Sequence, residues 1–125
     1  MNSKILNLSN HSKFKICDLN KYNIGKYDLI VSNPPYIPSK DIDTLSGSVK
    51  NYDPLVSLDG GEDGLKCYRQ IAEDINRVIG KNGRVVLEIG YNQAEDVIKI
   101  FESKDFIFLD KYIDINGLDR ILTFE

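Results

Sequence analysis

Between Tyr27 and Ser32 the chain reads YDLIVS, with Leu29, Ile30 and Val31 consecutive and apolar. A short unbroken apolar run marks a strand buried on both faces, as in the centre of a parallel sheet. Arg84 to Ile89, RVVLEI, repeats that pattern and ends at Gly90. Between the two runs the period changes. Leu65, Tyr68, Ile71, Ala72, Ile75, Val78 and Ile79 recur at spacings of three and four, which predicts one apolar stripe along a helix opening at Asp63 and Gly64. Gly80-Lys81-Asn82-Gly83 has residues suited to a left-handed cap and is expected to stop that helix. Ala94, Val97, Ile98 and Phe101 predict a second amphipathic helix within Asn92 to Ser103. The runs FIFLDKYI and LDRILTF then flank Asn116-Gly117, a turn pair between two strands. Upstream, Phe14-Lys15-Ile16-Cys17 alternates and stops at Asp18, which predicts a further strand with an acid at its carboxyl end.

Strands alternating with helices imply an α/β fold with a mostly parallel sheet covered by helices, to which the terminal hairpin adds an antiparallel strand. Ligands of such sheets bind outside the carboxyl ends of the strands. Asp18, Asn33 to Tyr36, and Glu88 to Gly90 all fall near those ends. The segment Ile37 to Gly64 is rich in Pro, Gly, Ser and Asp and has no sustained period, and a connection this long suggests a substrate-contact segment or lid. Gly60, Gly61 and Gly64 are expected to shape it, since neither phosphate-cradling glycine spacing occurs. Tyr68 and Cys67 are expected to pack, and Glu88 to play a structural part at its strand end.

The 125 residues, 42% hydrophobic and 28% charged, suit one globular domain. A net charge of -3 without clustered Lys or Arg disfavours general nucleic-acid binding. Cys17 and Cys67 have no CxxC spacing, so neither a metal site nor a redox pair is expected, and both read as reduced thiols. His11 is the only histidine and lies in a polar Asn/Ser segment, as a solvated loop residue would. No apolar run reaches the roughly 20 residues that cross a bilayer, and MNSKILNLSNHS lacks the apolar core of a signal peptide, so a cytoplasmic location is expected.

The chemistry gathers at Asn33-Pro34-Pro35-Tyr36, directly after the buried strand. Asn offers a carbonyl acceptor and an NH2 donor, while each proline has lost its N–H and keeps its carbonyl. The result is a rigid cluster of acceptors. It can grip a planar NH2 group by both hydrogens, one to the Asn33 side-chain oxygen and one to the Pro34 carbonyl, while the Tyr36 ring lies against the plane. Such a site presents an amide or amino nitrogen to an electrophile by positioning alone.

With NPPY after DLIVS, followed by DPLVSLDGGEDGL, YRQI and RVVLEIGYNQ, the sequence resembles the S-adenosylmethionine-dependent methyltransferases, and among them the protein-(glutamine-N5) methyltransferases of peptide chain release factors. NPPY by itself also admits adenine-N6 methyltransferases, because an exocyclic amine presents the same NH2 group; the segment after it favours the release-factor family. Asp53 stands where that family usually has Glu. The resemblance implies the C-terminal part of a seven-stranded, Rossmann-like methyltransferase sheet, so residues 1–125 would form a partial methyltransferase domain. It implies that Asn33 contacts both S-adenosyl-L-methionine and the substrate glutamine, and that Pro34, Pro35 and Tyr36 complete the glutamine pocket. Asp18 would lie by the cofactor's adenine, with Leu19 at the next position, where some relatives have an aromatic.

In that family a Gly-rich cofactor loop and a helical release-factor-binding domain precede this region, as do two strands that separate the one ending at Asp18 from the one ending at Asn33. The strand before NPPY is therefore expected to show an unpaired, apolar edge. The implied partners are a release factor carrying a GGQ glutamine and a complementary N-terminal fragment. Two roles follow: part of a longer or split glutamine methyltransferase, or a catalytically silent remnant of one.

Overall fold

The computed structural model describes residues 2–45 and 54–125. A short helix α1 (Asn2–Ile5) precedes β1 (Tyr27–Ser32); then follow α2 (Lys66–Asp74), β2 (Ile79–Glu88), α3 (Ala94–Glu102), β3 (Phe108–Ile113) and β4 (Asp119–Phe124). Single 3-10 turns stand at Leu19–Lys21, Ser39–Thr44, Leu55–Ser57 and Ile75–Arg77. The four strands form one sheet in the order β1-β2-β4-β3. β1 runs parallel to β2, with Val31 beside Val86, while β4 is antiparallel to both of its neighbours. The hairpin turns at Gly117, at φ +77°, where the Asp114 carboxylate accepts the N–H groups of Asn116 and Leu118.

The alternation of each strand sorts the apolar residues between two faces. Val85, Leu87 and Ile89 from β2 and its end, with Leu122 and Phe124 from β4, meet Tyr68, Ile71, Ala72 and Ile75 of the α2 region and Val97 and Phe101 of α3 in one buried core. The Phe101 and Phe124 rings stack with centroids 4.6 Å apart. Leu65 to Ile75 of the predicted stripe are thus buried, and Tyr68 is fully enclosed, whereas Ile79 is half-buried in β2. Asp74 is also buried. Burial by itself would raise its pKa, but the hydrogen bond from Gln70 (2.5 Å) and the Arg77 ion pair (2.8 Å) outweigh that and hold it low.

The other face of the sheet is uncovered. Leu29 is 56% exposed and Val31 68%, and Tyr112 is exposed across the sheet from them. Among the described residues β1 pairs only with β2, which leaves its second edge open, as the resemblance implied. The accessible surface is 8965 Å² for a 14.2 kDa chain, whereas a compact monomer of that mass exposes about 6,800 Å². The excess is about 2,200 Å² by the same relation.

Two expectations are corrected. Phe14 to Cys17 forms no strand, and Ile16 is fully exposed. A strand needs a hydrogen-bonding neighbour, and among the described residues this one has none. The Gly80–Gly83 segment does not cap the helix. α2 already ends at Asp74 and relaxes through Ile75–Arg77, and Ile79 begins β2. The segment is instead a bulge: Tyr27 pairs with Ile79 and Leu29 with Arg84, so the extra residues loop out. Asn82 supplies the left-handed conformation there, at φ +61°. Asp53 and the middle of the long loop lie outside the described residues.

Candidate active site

β1 stops at Ser32 because Pro34 and Pro35 have no N–H to give a ladder, and the chain turns off the sheet at Asn33. Pro34 is buried and Asn33 exposed, so a fixed base carries a solvent-facing amide. Asn33, Pro34, Pro35, Tyr36 and Ile37 form one wall of a cleft of about 320 Å³, and Ser57 and Leu58 form the other. Its size lies at the lower end of small-ligand sites. The far wall is held by pairing within the long loop. Ile37 donates to the Leu58 carbonyl (3.2 Å) and its own carbonyl accepts the Gly60 N–H (2.8 Å), making a parallel bridge with Asp59. The described ends of the long loop therefore meet at the cleft, in keeping with the substrate-contact segment expected there.

Tyr36 is fixed at both ends. Its hydroxyl donates to the Glu88 carboxylate at 3.2 Å. Burial, then the Glu88 charge and that hydrogen bond, raise the phenol above its usual pKa, so it is a neutral donor. Glu88 thus holds a side chain of the cleft, more than the structural part expected at a strand end, while its backbone carbonyl accepts the Tyr68 hydroxyl at 2.8 Å. At the backbone, the Tyr36 carbonyl accepts Nε2 of Gln93 at 2.9 Å. The same amide reaches the Gly64 carbonyl at 3.3 Å, and its oxygen accepts the Gly90 N–H at 2.9 Å. Gln93, only 7% exposed, escaped the sequence reading, as did Ser57 and Leu58. Its signal was an amide residue three positions after the strand-end Gly90, at the start of α3.

Among the described residues, no hydrogen bond engages the Asn33 side chain or the Pro34 carbonyl. Both residues line the cleft. Asp18 and Leu19 lie elsewhere. Asp18 pairs with Lys21 at 3.2 Å on an exposed turn. Leu19 lines a separate apolar cavity of about 240 Å³, bounded by β1 residues and by Ile71, Ile75 and Val78. Neither lines the Asn33 cleft. His11 is exposed, and no group of three metal-ligating side chains occurs among the described residues. No helix among them is long and apolar enough to cross a membrane.

A release factor glutamine methyltransferase from Agrobacterium fabrum is 51% identical over 100 residues, covering 80% of this chain. Another, from Clostridium acetobutylicum, is 37% identical over 125 residues, covering 98%. Along most of its length, this chain is similar to release factor glutamine methyltransferases. It spans 35% of the first relative and 44% of the second. No family model matches the chain. Among solved structures, a release factor-specific protein-(glutamine-N5) methyltransferase from Alicyclobacillus acidocaldarius aligns at a TM-score of 0.49 with 30% identity, over 79% of this chain and 48% of that one.

Proposed function

We propose that this chain is the substrate-gripping portion of an S-adenosylmethionine-dependent methyltransferase that acts on the side-chain amide of a release-factor glutamine. The observation that carries this is the cleft after β1. It is lined by Asn33 and Pro34, whose side-chain oxygen and backbone carbonyl make no hydrogen bond among the described residues, beside a half-buried Tyr36, and one carboxamide would enter it. The substrate's two N–H hydrogens would go to those acceptors, which aims the nitrogen without a general base of matched pKa. Bound S-adenosyl-L-methionine supplies an electrophilic methyl group. Asn33 is the one residue of the cleft that would meet it, while Asp18 and Leu19 would contribute only by way of the family pattern. The remaining contacts are proposed to come from a complementary portion of the enzyme.

The open edge of β1 and the bare face at Leu29 and Val31 support such a complement. The names and coverage of the relatives favour glutamine over adenine as the acceptor. The test supplies the corresponding N-terminal portion of a relative and follows methylation of a GGQ glutamine by mass spectrometry, with Asn33→Ala as control. Transfer that disappears in Asn33→Ala is expected. Methylation of adenine in DNA instead would overturn the substrate, and no transfer to either acceptor would make the chain a silent remnant.

A further inference from the structure

Three segments distant in sequence meet around the backbone of Tyr36, and one buried side chain touches all of them. Gln93 Nε2 donates to the Tyr36 and Gly64 carbonyls, and Gln93 Oε1 accepts from the Gly90 N–H. Its own backbone N–H bonds the Gly90 carbonyl at 3.1 Å, which fixes where the side chain begins. Space around it is closed. A methyl built on Gly64 would stand 2.5 Å from the Tyr36 oxygen and 2.8 Å from Nε2, and one on Gly90 would stand 2.8 Å from Oε1. The carboxamide therefore uses an acceptor and both donor hydrogens, with the backbone of Gly64 and Gly90 too close to carry a methyl, an arrangement far more demanding than filling volume.

We propose that Gln93 is the positioning residue of the acceptor cluster: its carboxamide pins the Tyr36 carbonyl, and with it the Asn33–Tyr36 turn, to the turn after β2 and to the approach to α2. Asn33 and Pro34 have no such anchor of their own, so the aim of the two acceptors depends on where Tyr36 is held. The Glu88 carboxylate fixes only the far tip of the Tyr36 ring. The inference rests on the methyl-transfer proposal only for its activity consequence.

The discriminating variant is Gln93→Glu, which keeps shape and volume but changes the hydrogens. As a carboxylate it turns an oxygen toward two carbonyl oxygens; as a neutral acid it gives one hydrogen back, to the nearer Tyr36 carbonyl. Burial and those carbonyls place its pKa above the ordinary glutamate value of about 4.3. Glu88, Arg120 and the phenols of Tyr36 and Tyr68 stand in the same network of both proteins, so the wild-type chain followed over the same pH range gives the shifts that they cause by themselves. In the 15N-labelled chain, the Ile37 amide and the Asn33 side-chain amide of the variant should shift with one midpoint above that value and return toward wild-type positions below it. Gln93→Met, which cannot pin the carbonyl at any pH, should show the displaced positions throughout. With the complementary portion supplied, Gln93→Glu should lower kcat about tenfold at neutral pH and recover as the pH falls, whereas Gln93→Met should stay low at every pH. Wild-type resonance positions in Gln93→Glu at every pH would overturn the proposal. If the wild-type chain transfers no methyl group, the functional proposal fails while the resonance titration still decides the role of Gln93.

Discussion

Gly64→Ala and Gly117→Ala form a matched pair that separates backbone strain from crowding at the cleft. Both glycines are left-handed, at φ +76° and +77°. An L residue there costs about 1–2 kcal/mol. A methyl on Gly117 meets nothing within 4 Å, so Gly117→Ala should cost that amount alone. At Gly64 the methyl must also displace the Tyr36 carbonyl from 2.5 Å and the Gln93 amide from 2.8 Å. Separating that pair leaves a part-buried carbonyl without its donor, a further penalty of about 1–3 kcal/mol. Gly64→Ala should therefore destabilise by about 2–5 kcal/mol, a large share of the 5–15 kcal/mol that holds a typical domain. Urea unfolding of both variants, analysed with a common slope, measures the difference. Equal midpoints for the two would refute the reasoning, because the second term would then be absent.

Tyr68→Phe keeps the buried ring and removes only the hydroxyl that donates to the Glu88 carbonyl, so it should cost about 1 kcal/mol in urea unfolding; an unchanged midpoint would mean that bond contributes nothing. Asp63 is held down at about 2 by hydrogen bonds from the Arg69 guanidinium and then from the Leu65 N–H. Its folded pKa lies below its unfolded value of about 3.9, so its contribution is full above that value and fades as the pH falls toward 2. Asp63→Asn should thus be less stable than wild type at neutral pH, modestly because the pair is half exposed, with the gap closing near pH 2; a pH-independent gap in thermal midpoints would contradict this. Val31→Lys, at a position 68% exposed on the open strand, should change stability by less than about 0.5 kcal/mol yet reduce concentration-dependent light scattering, and equal scattering would remove the open edge as its cause.

The order of helices and strands from Tyr27 onward was readable because each element carries its period in its own residues: Leu65 to Ile75 of the predicted Leu65–Ile79 stripe are buried along α2 and the turn after it, and the hairpin turns where Asn116-Gly117 places it. The failures are those where the deciding partner is remote. Phe14–Cys17 has strand alternation, but a strand exists only with a neighbour, and alternation says nothing of that. Gly80–Gly83 has cap composition, yet Asn82 serves a bulge, because register against Tyr27 decides the matter. At the site, Asn33 to Tyr36 were visible as a contiguous motif with its own chemistry. Gln93 was not, since its role comes from carbonyls 57 and 29 residues away.

The surplus of exposed surface has a calorimetric consequence. The heat capacity increment of unfolding comes from newly wetted apolar area, about 12–15 cal/mol/K per residue in fully covered domains. Leu29 and Val31 are already wet in the native chain and add little to that increment. Its stability curve should be flatter than chain length alone suggests, and its thermal transition broad. Covering β1 would restore the missing increment, so a sharpening endotherm reports a bound complement even where no reaction is followed.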